Sequence, residues 1–516
     1  MLNFGQKQVQ LLDCTLRDGG YYTRWDFDEK LVEQYFQTMN KLPVEYIEIG
    51  YRSKQKEKYQ GAFYYLPEQI LKKCEKLSAK KLAVILNEKE LQSEEVEEIL
   101  SPCVGIVDMV RLAVAPDRLA NALKIAEAVK KMDFLVSLNL MYASKWEEQL
   151  YASEDLKRLD NVLDYFYVVD SYGGMLPSEI KKTFTRLKEV LSVKLCFHGH
   201  NNIEMALVNS LTAIESGAVI IDATVCGMGR GAGNLKTELF LSLLHKKHKI
   251  PVDFDILNDL VENFLRLKGE YKWGTNLPYM LSGAFSLPQN TVMGRVKKRF
   301  FSLNAIVKEV SETNEHLDNP DFPSFTPDKM HWEAIIVGGG NTPQKYAVAL
   351  REYLKKNPET CVIHSSSKNV NAFMDLPNDQ FHCLSGKEII RLEEKLPLQE
   401  EDKRFLLISS RSGVVVPEKF SSRFKKLLKV LEKGTFQEKF ELSTTAMAID
   451  IARLLNVQQL LFTGYDGYAG GVTKEQLELF EENQEIFEEA KKIGFVLFSL
   501  TPTLYMINSK SIFSLL

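Results

Sequence analysis

Up to about residue 245, the chain alternates short apolar runs with longer stretches in which apolar residues recur at helical spacing. One such helical stretch runs from Leu119 to Lys130. Alternation of strands and helices is typical of parallel sheets, and eight units over roughly 240 residues is the size of a TIM (β/α)8 barrel. A doubly wound open sheet is the alternative. The eight predicted strands are residues 9–16, 44–51, 81–87, 106–114, 134–141, 163–171, 194–201 and 220–227.

The pattern changes after residue 250. We predict a TIM-barrel domain over residues 1–250, a helical extension packing at the barrel mouth over 251–312, and a proline-bearing linker over 313–330. A smaller, Rossmann-like doubly wound α/β domain of uncertain role is expected over 331–516. Its first strand runs into Gly338-Gly-Gly, a phosphate-loop candidate that lacks the full Gly-x-Gly-x-x-Gly pattern. Further strands are predicted at 360–364, 404–410, 458–463 and 495–500.

Composition narrows the class of protein. The 516 residues are 45% hydrophobic and 26% charged, as in soluble globular proteins. The net charge is −4 and the sequence has no long basic run, so neither nucleic acid nor an anionic membrane is indicated as a partner. No apolar run reaches membrane-spanning length, and the N-terminus lacks a signal-peptide core. The seven cysteines are scattered, which favours free thiols and a cytoplasmic location.

Two short segments carry candidate chemistry. His198 and His200 follow an apolar run, and residues at i and i+2 of a strand point to the same side. Near the N-terminus, another apolar strand is expected to deliver Asp13, Arg17 and Asp18 into a glycine turn. One carboxylate and two imidazoles can hold a divalent metal with positions left open for substrate. The alternatives are an ordinary hydrogen-bonded histidine pair and a salt-bridged turn.

Three motifs in this order resemble the metal-dependent aldolase and lyase superfamily of TIM barrels. They are Asp13-Cys-Thr-Leu-Arg-Asp-Gly, His198-Gly-His-Asn and Gly227-Met-Gly-Arg-Gly-Ala-Gly-Asn. The superfamily includes 4-hydroxy-2-oxovalerate aldolase, hydroxymethylglutaryl-CoA lyase and isopropylmalate synthase, and the resemblance covers roughly residues 8–300. It implies a barrel with a divalent metal at its C-terminal mouth, closest to the aldolase branch.

The resemblance also implies a ligand set. Asp18, His198 and His200 match the metal ligands, and Asn234 matches a further ligand or a water-mediated neighbour of some members. Oxygen and imidazole donors without thiolate suit Mn²⁺, Mg²⁺, Co²⁺ or Zn²⁺. Manganese is the usual metal of the aldolases and is therefore the expected cofactor.

Other residues match substrate-handling positions. Arg17 is expected to stabilise an enolate oxygen, its alternative being a structural ion pair with Asp13 or Glu48. Glu48 is expected to orient Arg17 or to carry protons. Ser171 resembles the residue that binds the carboxylate of a 2-oxo acid, the alternative being a turn cap. Asn139 and Arg111 are weaker candidates at the barrel mouth.

The general base departs from the family pattern. The aldolases place a histidine three residues after the motif's aspartate, where this chain has Tyr21. A phenol with its ordinary pKa of about 10 is a poor base at neutral pH. The candidates are therefore Tyr21, Tyr22, Glu48, Tyr279 and a metal-bound water.

The other branches fit less well. The lyases carry a catalytic cysteine inside the glycine loop, where this chain has Arg230 and only the preceding Cys226, and the condensing enzymes have Glu-Gln where it has Gly20-Tyr21. The leading hypothesis is an aldolase acting on a 4-hydroxy-2-oxo acid, with a pyruvate-type 2-oxo acid and an aldehyde as its small-molecule partners. The alternatives are an acyl-CoA-dependent Claisen-type enzyme and a non-catalytic barrel with a nucleotide- or sugar-binding second domain. A homodimer is expected from the resemblance alone.

Overall fold

A computed structural model describes residues 2–4, 7–287, 322–385, 387–396, 404–410, 416–432, 434–440, 443–469 and 474–516. The chain divides into two compact units, Met1–Met293 and Gly294–Leu516. The part of the predicted helical extension beyond residue 287, and the predicted linker up to residue 321, lie outside the described residues. Among the described residues no helix is long and apolar enough to span a membrane.

The first unit is a closed barrel of eight parallel strands, as the alternating pattern predicts. Each strand pairs with its successor, and β2 pairs in parallel with β9 to close the ring, while β1 lies antiparallel on β2. The strands are β1 (Leu2–Phe4), β2 (Lys7–Asp13), β3 (Tyr46–Tyr51), β4 (Lys81–Asn87), β5 (Met109–Val114), β6 (Leu135–Leu140), β7 (Tyr165–Asp170), β8 (Lys194–Gly199) and β9 (Ile220–Ala223).

Amphipathic helices connect these strands. In α6, which follows β5, the buried residues Ala122, Ile125, Ala126 and Val129 recur at helical spacing, so one stripe of the helix packs on the barrel. The helices are α1 (Thr15–Thr23), α2 (Glu29–Lys41), α3 (Ala62–Tyr65), α4 (Glu68–Leu77), α5 (Val96–Leu100), α6 (Leu119–Lys131), α7 (Glu148–Tyr151), α8 (Glu154–Leu159), α9 (Pro177–Val190), α10 (Ala206–Glu215), α11 (Thr237–His248), α12 (Phe254–Tyr271) and α13 (Leu277–Ala284).

The barrel interior changes from apolar to charged along the strands. Residues of seven strands, among them Met109, Cys196 and Ile220, form one buried apolar cluster, which therefore fills the barrel. Two residues further along the same strands stand Arg111, His198 and Asp222, all buried. Because side chains two apart on a strand share a face, the apolar layer is followed by a charged layer at the carboxyl ends of the strands. That layer forms the floor of the candidate site.

The prediction of a glycine turn after the first barrel strand, β2, is wrong. Arg17 and Asp18 lie in the first turn of α1, which begins at Thr15 directly after β2 and continues through the two glycines. The glycines are needed for close packing, since a Cβ at Gly20 would clash with the ring of Trp25. Helical geometry therefore sets the directions of Arg17 and Asp18.

The second unit contains an eight-stranded parallel sheet in the order β14-β13-β12-β11-β10-β15-β16-β17. Strands β11 to β14 follow one another on one side of β10, and β15 to β17 follow one another on its other side. The direction of the strand order therefore reverses between β10 and β15. The strands are β10 (Glu333–Val337), β11 (Cys361–His364), β12 (Gln380–Leu384), β13 (Arg404–Ser409), β14 (Leu428–Leu431), β15 (Gln459–Thr463), β16 (Val496–Ser499) and β17 (Asn508–Ser509). The helices are α14 (Thr342–Lys345), α15 (Ala347–Lys356), α16 (Lys387–Glu393), α17 (Glu418–Phe424), α18 (Thr435–Lys439), α19 (Thr444–Leu454) and α20 (Lys474–Lys492).

Candidate active site

A cavity of about 360 Å³ opens at the carboxyl ends of the barrel strands, where TIM-barrel active sites lie. It brings together residues of the N-terminal motif, the histidine motif and the glycine loop. The predicted site residues that line it are Arg17, Tyr21, Asn139, Ser171, His198 and His200. Arg230, Tyr51, Tyr142 and Arg118 line it as well.

Asp18, His198 and His200 form a candidate metal centre. All three are buried, and one ligand atom from each lies within 4.8 Å of the others. The Nε2 atom of His198 lies 3.8 Å from Oδ2 of Asp18. Cys14 meets the same distance limit with His198 and Asp222, but its thiol donates to the carbonyl of Ala223 and burial raises its pKa well above the ordinary value. The thiol is therefore protonated and a poor ligand.

Each histidine is oriented through its Nδ1 atom. Nδ1 of His200 lies 2.9 Å from the carbonyl oxygen of Asp170, which can only accept, so this nitrogen carries the proton. The Nε2 atom of His200 is then a lone-pair donor, and it is buried without a hydrogen-bond partner among the described residues. Burial, helped by the nearby His198, lowers the pKa of His200 to about 3, so the imidazole is neutral at physiological pH. A neutral, unpartnered imidazole nitrogen beside a carboxylate fits a metal ligand.

Asp18 is held as a carboxylate by its neighbours. Burial opposes its charge, but Arg17, followed by the two histidines and Arg230, holds the pKa of Asp18 well below its usual range. The amide nitrogen of Asn234 donates to Oδ2 of Asp18, while Asn234 Oδ1 is buried and has no partner in the described part of the chain. This oxygen is an additional donor available to a cation. The glycine loop allows the approach, because a Cβ at Gly229 would clash with the Asn234 amide.

A ring of alternating charges surrounds the centre. Arg17 donates from Nη1 to Asp18 and from Nε to Glu48, both at 2.6 Å. The other oxygen of Glu48 lies 3.1 Å from Nη1 of Arg111, whose Nη2 donates to Asp222 at 2.5 Å. His198 completes the ring. Its Nδ1 atom lies 2.8 Å from the same Asp222 oxygen, and its Nε2 atom lies 3.8 Å from Oδ2 of Asp18. Each buried charge is paired, so the side chains around the centre are held in fixed positions.

Arg17, Glu48 and Arg111 all belong to the ring, but they differ in whether they reach the cavity. Glu48 bridges two guanidinium groups and is fully buried, which places it behind Arg17 and outside the cavity lining. Arg111 is also fully buried and stacks on the ring of Tyr167 at 4.3 Å. Arg17 lines the cavity, and its Nη2 makes no hydrogen bond within the described part of the chain. Arg17 is therefore the member of the three with a donor left for a ligand.

Tyr21, at the position where the aldolases have a histidine, lies in the cavity wall. The hydroxyl of Tyr21 is 2.8 Å from that of Tyr51, and the guanidinium of Arg230 lies 4.5 Å above the Tyr21 ring. Tyr22 instead donates to the carbonyl of Gly231, and burial raises its pKa far above the ordinary value. Burial also raises the pKa of Tyr279. Of the three phenols proposed as base, Tyr21 alone lines the cavity.

The loop after β7 supplies the other polar wall. The Asp170 carboxylate accepts from the backbone N–H groups of Gly174 and Met175, so it caps the turn, and burial raises its pKa to about 6. Ser171 lines the cavity and accepts from the N–H of Tyr142 at 2.8 Å. Asn139 accepts from Arg111 and from Ser137, both at 3.3 Å. Its amide nitrogen remains to donate, since no described residue accepts from it.

Sequence reasoning missed Asp222 and misplaced Asp13. Asp13 does not reach the cavity; its carboxylate accepts from Thr15, Tyr35 and Thr237 and thereby fixes the start of α1. Asp222 stands in the apolar run Ile-Ile-Asp-Ala of β9. An aspartate inside a buried strand requires charged partners, and that was the signal available in the sequence. No comparable signal marks Tyr51.

The barrel part of the chain is similar to several known proteins. Residues 94–262 match the HMGL-like family. A crystal structure of the N-terminal domain of a candidate aldolase from Bacteroides vulgatus superimposes with a TM-score of 0.56 and 46% identity, covering 58% of this chain and 99% of that one. Oxaloacetate decarboxylase of Mycobacterium tuberculosis is 25% identical over 312 residues, 59% of this chain and 91% of its own length. 4-Hydroxy-2-oxovalerate aldolase of Moorella thermoacetica is 27% identical over 301 residues, 54% of this chain and 83% of its own length.

Proposed function

Because the chain belongs to the HMGL-like family, we propose that it is a carbon–carbon lyase, a divalent-metal-dependent aldolase that acts on a 4-hydroxy-2-oxo acid through the enolate of a pyruvate-type 2-oxo acid. The observation that carries the proposal is the convergence of Asp18, His198, His200 and Arg17 on one cavity at the barrel mouth. The names of the Moorella and Mycobacterium relatives support the same chemistry.

The metal would be held by Asp18, His198 and His200, with Asn234 Oδ1 as a further donor. These residues fit a divalent cation because two buried donor atoms, His200 Nε2 and Asn234 Oδ1, have no partner among the described residues. When bound, such a cation polarises the keto oxygen of the substrate as a Lewis acid. A donor set of oxygen and imidazole nitrogen suits Mn²⁺, Mg²⁺, Co²⁺ or Zn²⁺, and manganese is the proposed metal because the resemblance to the aldolases implies it.

Other side chains stabilise the enolate, bind the substrate carboxylate and transfer the proton. Arg17, fixed by Glu48 and Asp18, directs its free Nη2 toward the oxygen on which negative charge develops. Ser171 and the amide nitrogen of Asn139 hold the substrate carboxylate. Tyr21 is the proposed proton carrier because it lines the cavity, and Glu48 acts by positioning Arg17.

The charges of the site favour a substrate with two anionic groups. The cavity wall and the charge ring together hold four guanidinium groups, one ammonium group and five carboxylates, so their charges balance. They are Arg17, Arg111, Arg118, Arg230, Lys89, Asp18, Glu48, Glu88, Glu90 and Asp222. A divalent cation therefore adds two uncompensated positive charges. Arg230 makes no ion pair within the described residues, and its Nε is buried without a partner. We propose that Arg230 binds the second anionic group, so that a dianionic substrate neutralises the site.

Decarboxylation of oxaloacetate is a second candidate reaction. Oxaloacetate is itself a dianionic 2-oxo acid, and loss of its distal carboxylate yields the same pyruvate enolate. The Mycobacterium relative is named for this activity.

The decisive experiment measures pyruvate release, coupled to lactate dehydrogenase, after removal of metal by chelation and with or without added Mn²⁺. The panel contains 4-hydroxy-2-oxo acids with and without a second carboxylate, and oxaloacetate with a no-enzyme control for its spontaneous loss of CO₂. We expect manganese-dependent release that Asp18→Asn and His200→Ala abolish while both variants keep the wild-type melting temperature within a few degrees. Pyruvate release that persists in either variant, or that is unchanged after the metal has been removed by chelation, would show that the metal centre is wrongly assigned.

A further inference from the structure

The second unit has a polar cavity of its own, of about 660 Å³. It lies at the carboxyl ends of β10 and β15, the two strands between which the sheet order reverses. Ligands of open parallel sheets bind at such a point, because the loops after the two strands diverge and leave a crevice. Gly338–Gly340 and Gly464–Tyr468 form its two sides, and Ser385 and the start of α19 complete it.

Ser385 and Thr444 offer two side-chain hydroxyls to this cavity. Ser385 is 5% exposed and Thr444 is 9% exposed, and neither side chain makes a hydrogen bond to another described residue. Both residues line the cavity. Ser365 and Thr445 line it as well, but their hydroxyls are bonded to Tyr465. The hydroxyls of Ser385 and Thr444 therefore remain available to hydrogen-bond a ligand in the cavity.

The start of α19 adds backbone donors at the same place. Ser443 caps this eleven-residue helix by accepting from the N–H of Ala446. The N–H groups of Thr444 and Thr445, in the first turn, have no acceptor among the described residues. Free N–H groups and the helix dipole together favour an anion.

The charged residues of the cavity leave one cation free. Three carboxylates line the cavity, those of Asp466, Glu388 and Glu482. Asp466 accepts from the N–H groups of Asn341 and Thr342, Glu388 pairs with Arg391 at 2.5 Å, and Glu482 also has a partner, so these acidic groups are engaged. Lys368 lines the cavity and has no carboxylate partner in the described part of the chain. The positive charge is therefore available to a ligand.

We propose that this cavity binds an organic phosphate of about nucleotide size. The phosphate lies at the start of α19, where it accepts from the N–H groups of Thr444 and Thr445, the hydroxyls of Thr444 and Ser385, and the ammonium of Lys368. The rest of the 660 Å³ takes the hydroxyl-bearing body of the ligand. The site lies within the second unit and does not depend on the function proposed for the barrel.

Titration calorimetry of the full chain with inorganic pyrophosphate tests the proposal. We expect saturable binding at millimolar or lower concentration, weakened about tenfold by Thr444→Val and by Lys368→Met. Thr444→Ser keeps the hydroxyl and should bind like wild type, and Thr185→Val, which removes an exposed helical hydroxyl on α9, serves as the matched control. Absence of saturable binding would overturn the site. Binding that Arg230→Met abolishes and Thr444→Val leaves intact would move the anion site to the barrel and overturn the proposal as well.

Discussion

Nδ1 of His198 lies 2.8 Å from Oδ2 of Asp222 on the neighbouring strand. The same oxygen accepts from Arg111 at 2.5 Å, so one carboxylate positions both a candidate ligand and a buried guanidinium. Because the Asp222 carboxylate accepts a hydrogen bond from the Nδ1–H group, Nε2 of His198 presents its lone pair toward Asp18. The candidate metal centre therefore depends on a residue outside the proposed ligand set.

Asp222→Asn should weaken metal binding. The amide removes the negative charge that fixes the histidine tautomer and leaves Arg111 with Glu48 as its remaining carboxylate. Loss of such an outer partner typically costs about 10–100-fold in metal affinity. Calorimetric titration of the chelated protein with Mn²⁺ measures the change, and Asp255→Asn, an exposed aspartate on α12, is the control. Wild-type affinity in Asp222→Asn would show that His198 is not a ligand.

Arg17→Lys should lose most of the turnover while metal affinity stays close to wild type. A lysine ammonium carries its three donors on one nitrogen, so it cannot reach Glu48, Asp18 and the substrate from the three separate nitrogen positions of the planar guanidinium. Removal of one preorganised donor to a developing oxyanion costs about 100-fold or more in kcat. Steady-state kinetics with saturating Mn²⁺ measure this loss. Kinetics near wild type would rule out the role of Arg17 at the enolate oxygen.

The sequence predicted the barrel strands well because apolar runs of buried strands are local signals. It placed Asp18, His198 and His200 on the correct edge of the barrel for the same reason. It could not show the pairing of His198 with Asp222, which depends on the register between β8 and β9, where Cys196 lies opposite Ile220.

Local signals also failed in identifiable ways. The pair Gly19-Gly20 was interpreted as a turn, although these residues sit inside α1, where only their small size allows contact with Trp25 and Met228. In the second unit, the two-residue strand β17 was missed, and so were β12 and β14. Strand β12 carries Gln380 and His382 among its buried residues, and β14 is only four residues long, so neither has a continuous apolar run.

Thiol reagents should leave turnover unchanged. The cysteine nearest the glycine loop, Cys226, donates from Sγ to the carbonyl of Val261, and burial raises its pKa to about 12. The thiol is therefore protonated and unreactive at neutral pH. Iodoacetamide treatment followed by the pyruvate assay and mass spectrometry tests this, and all seven cysteines should be labelled only after unfolding. Inactivation that substrate prevents would instead favour the acyl-CoA lyase alternative.

Arg230→Met should remove a preference for dianionic ligands. The guanidinium stands over Tyr21 in the cavity wall without an ion pair among the described residues, so its charge is available to the second anionic group of a substrate. We expect the manganese-loaded wild type to bind 2-oxoglutarate about tenfold or more tightly than 2-oxovalerate, which has the same length and one carboxylate. Calorimetry should show this ratio falling toward one in Arg230→Met and persisting in part in Arg230→Lys.

Arg266→Met, at an exposed position on α12, is the matched control and should bind both acids as the wild type does. An equal loss for the two acids in Arg230→Met would mean that the residue supports the cavity without selecting its ligand. A selective loss in a protein that releases no pyruvate from any substrate would preserve the anion site and refute the aldolase reaction. Binding of neither acid by the manganese-loaded wild type would instead count against the 2-oxo acid function as a whole.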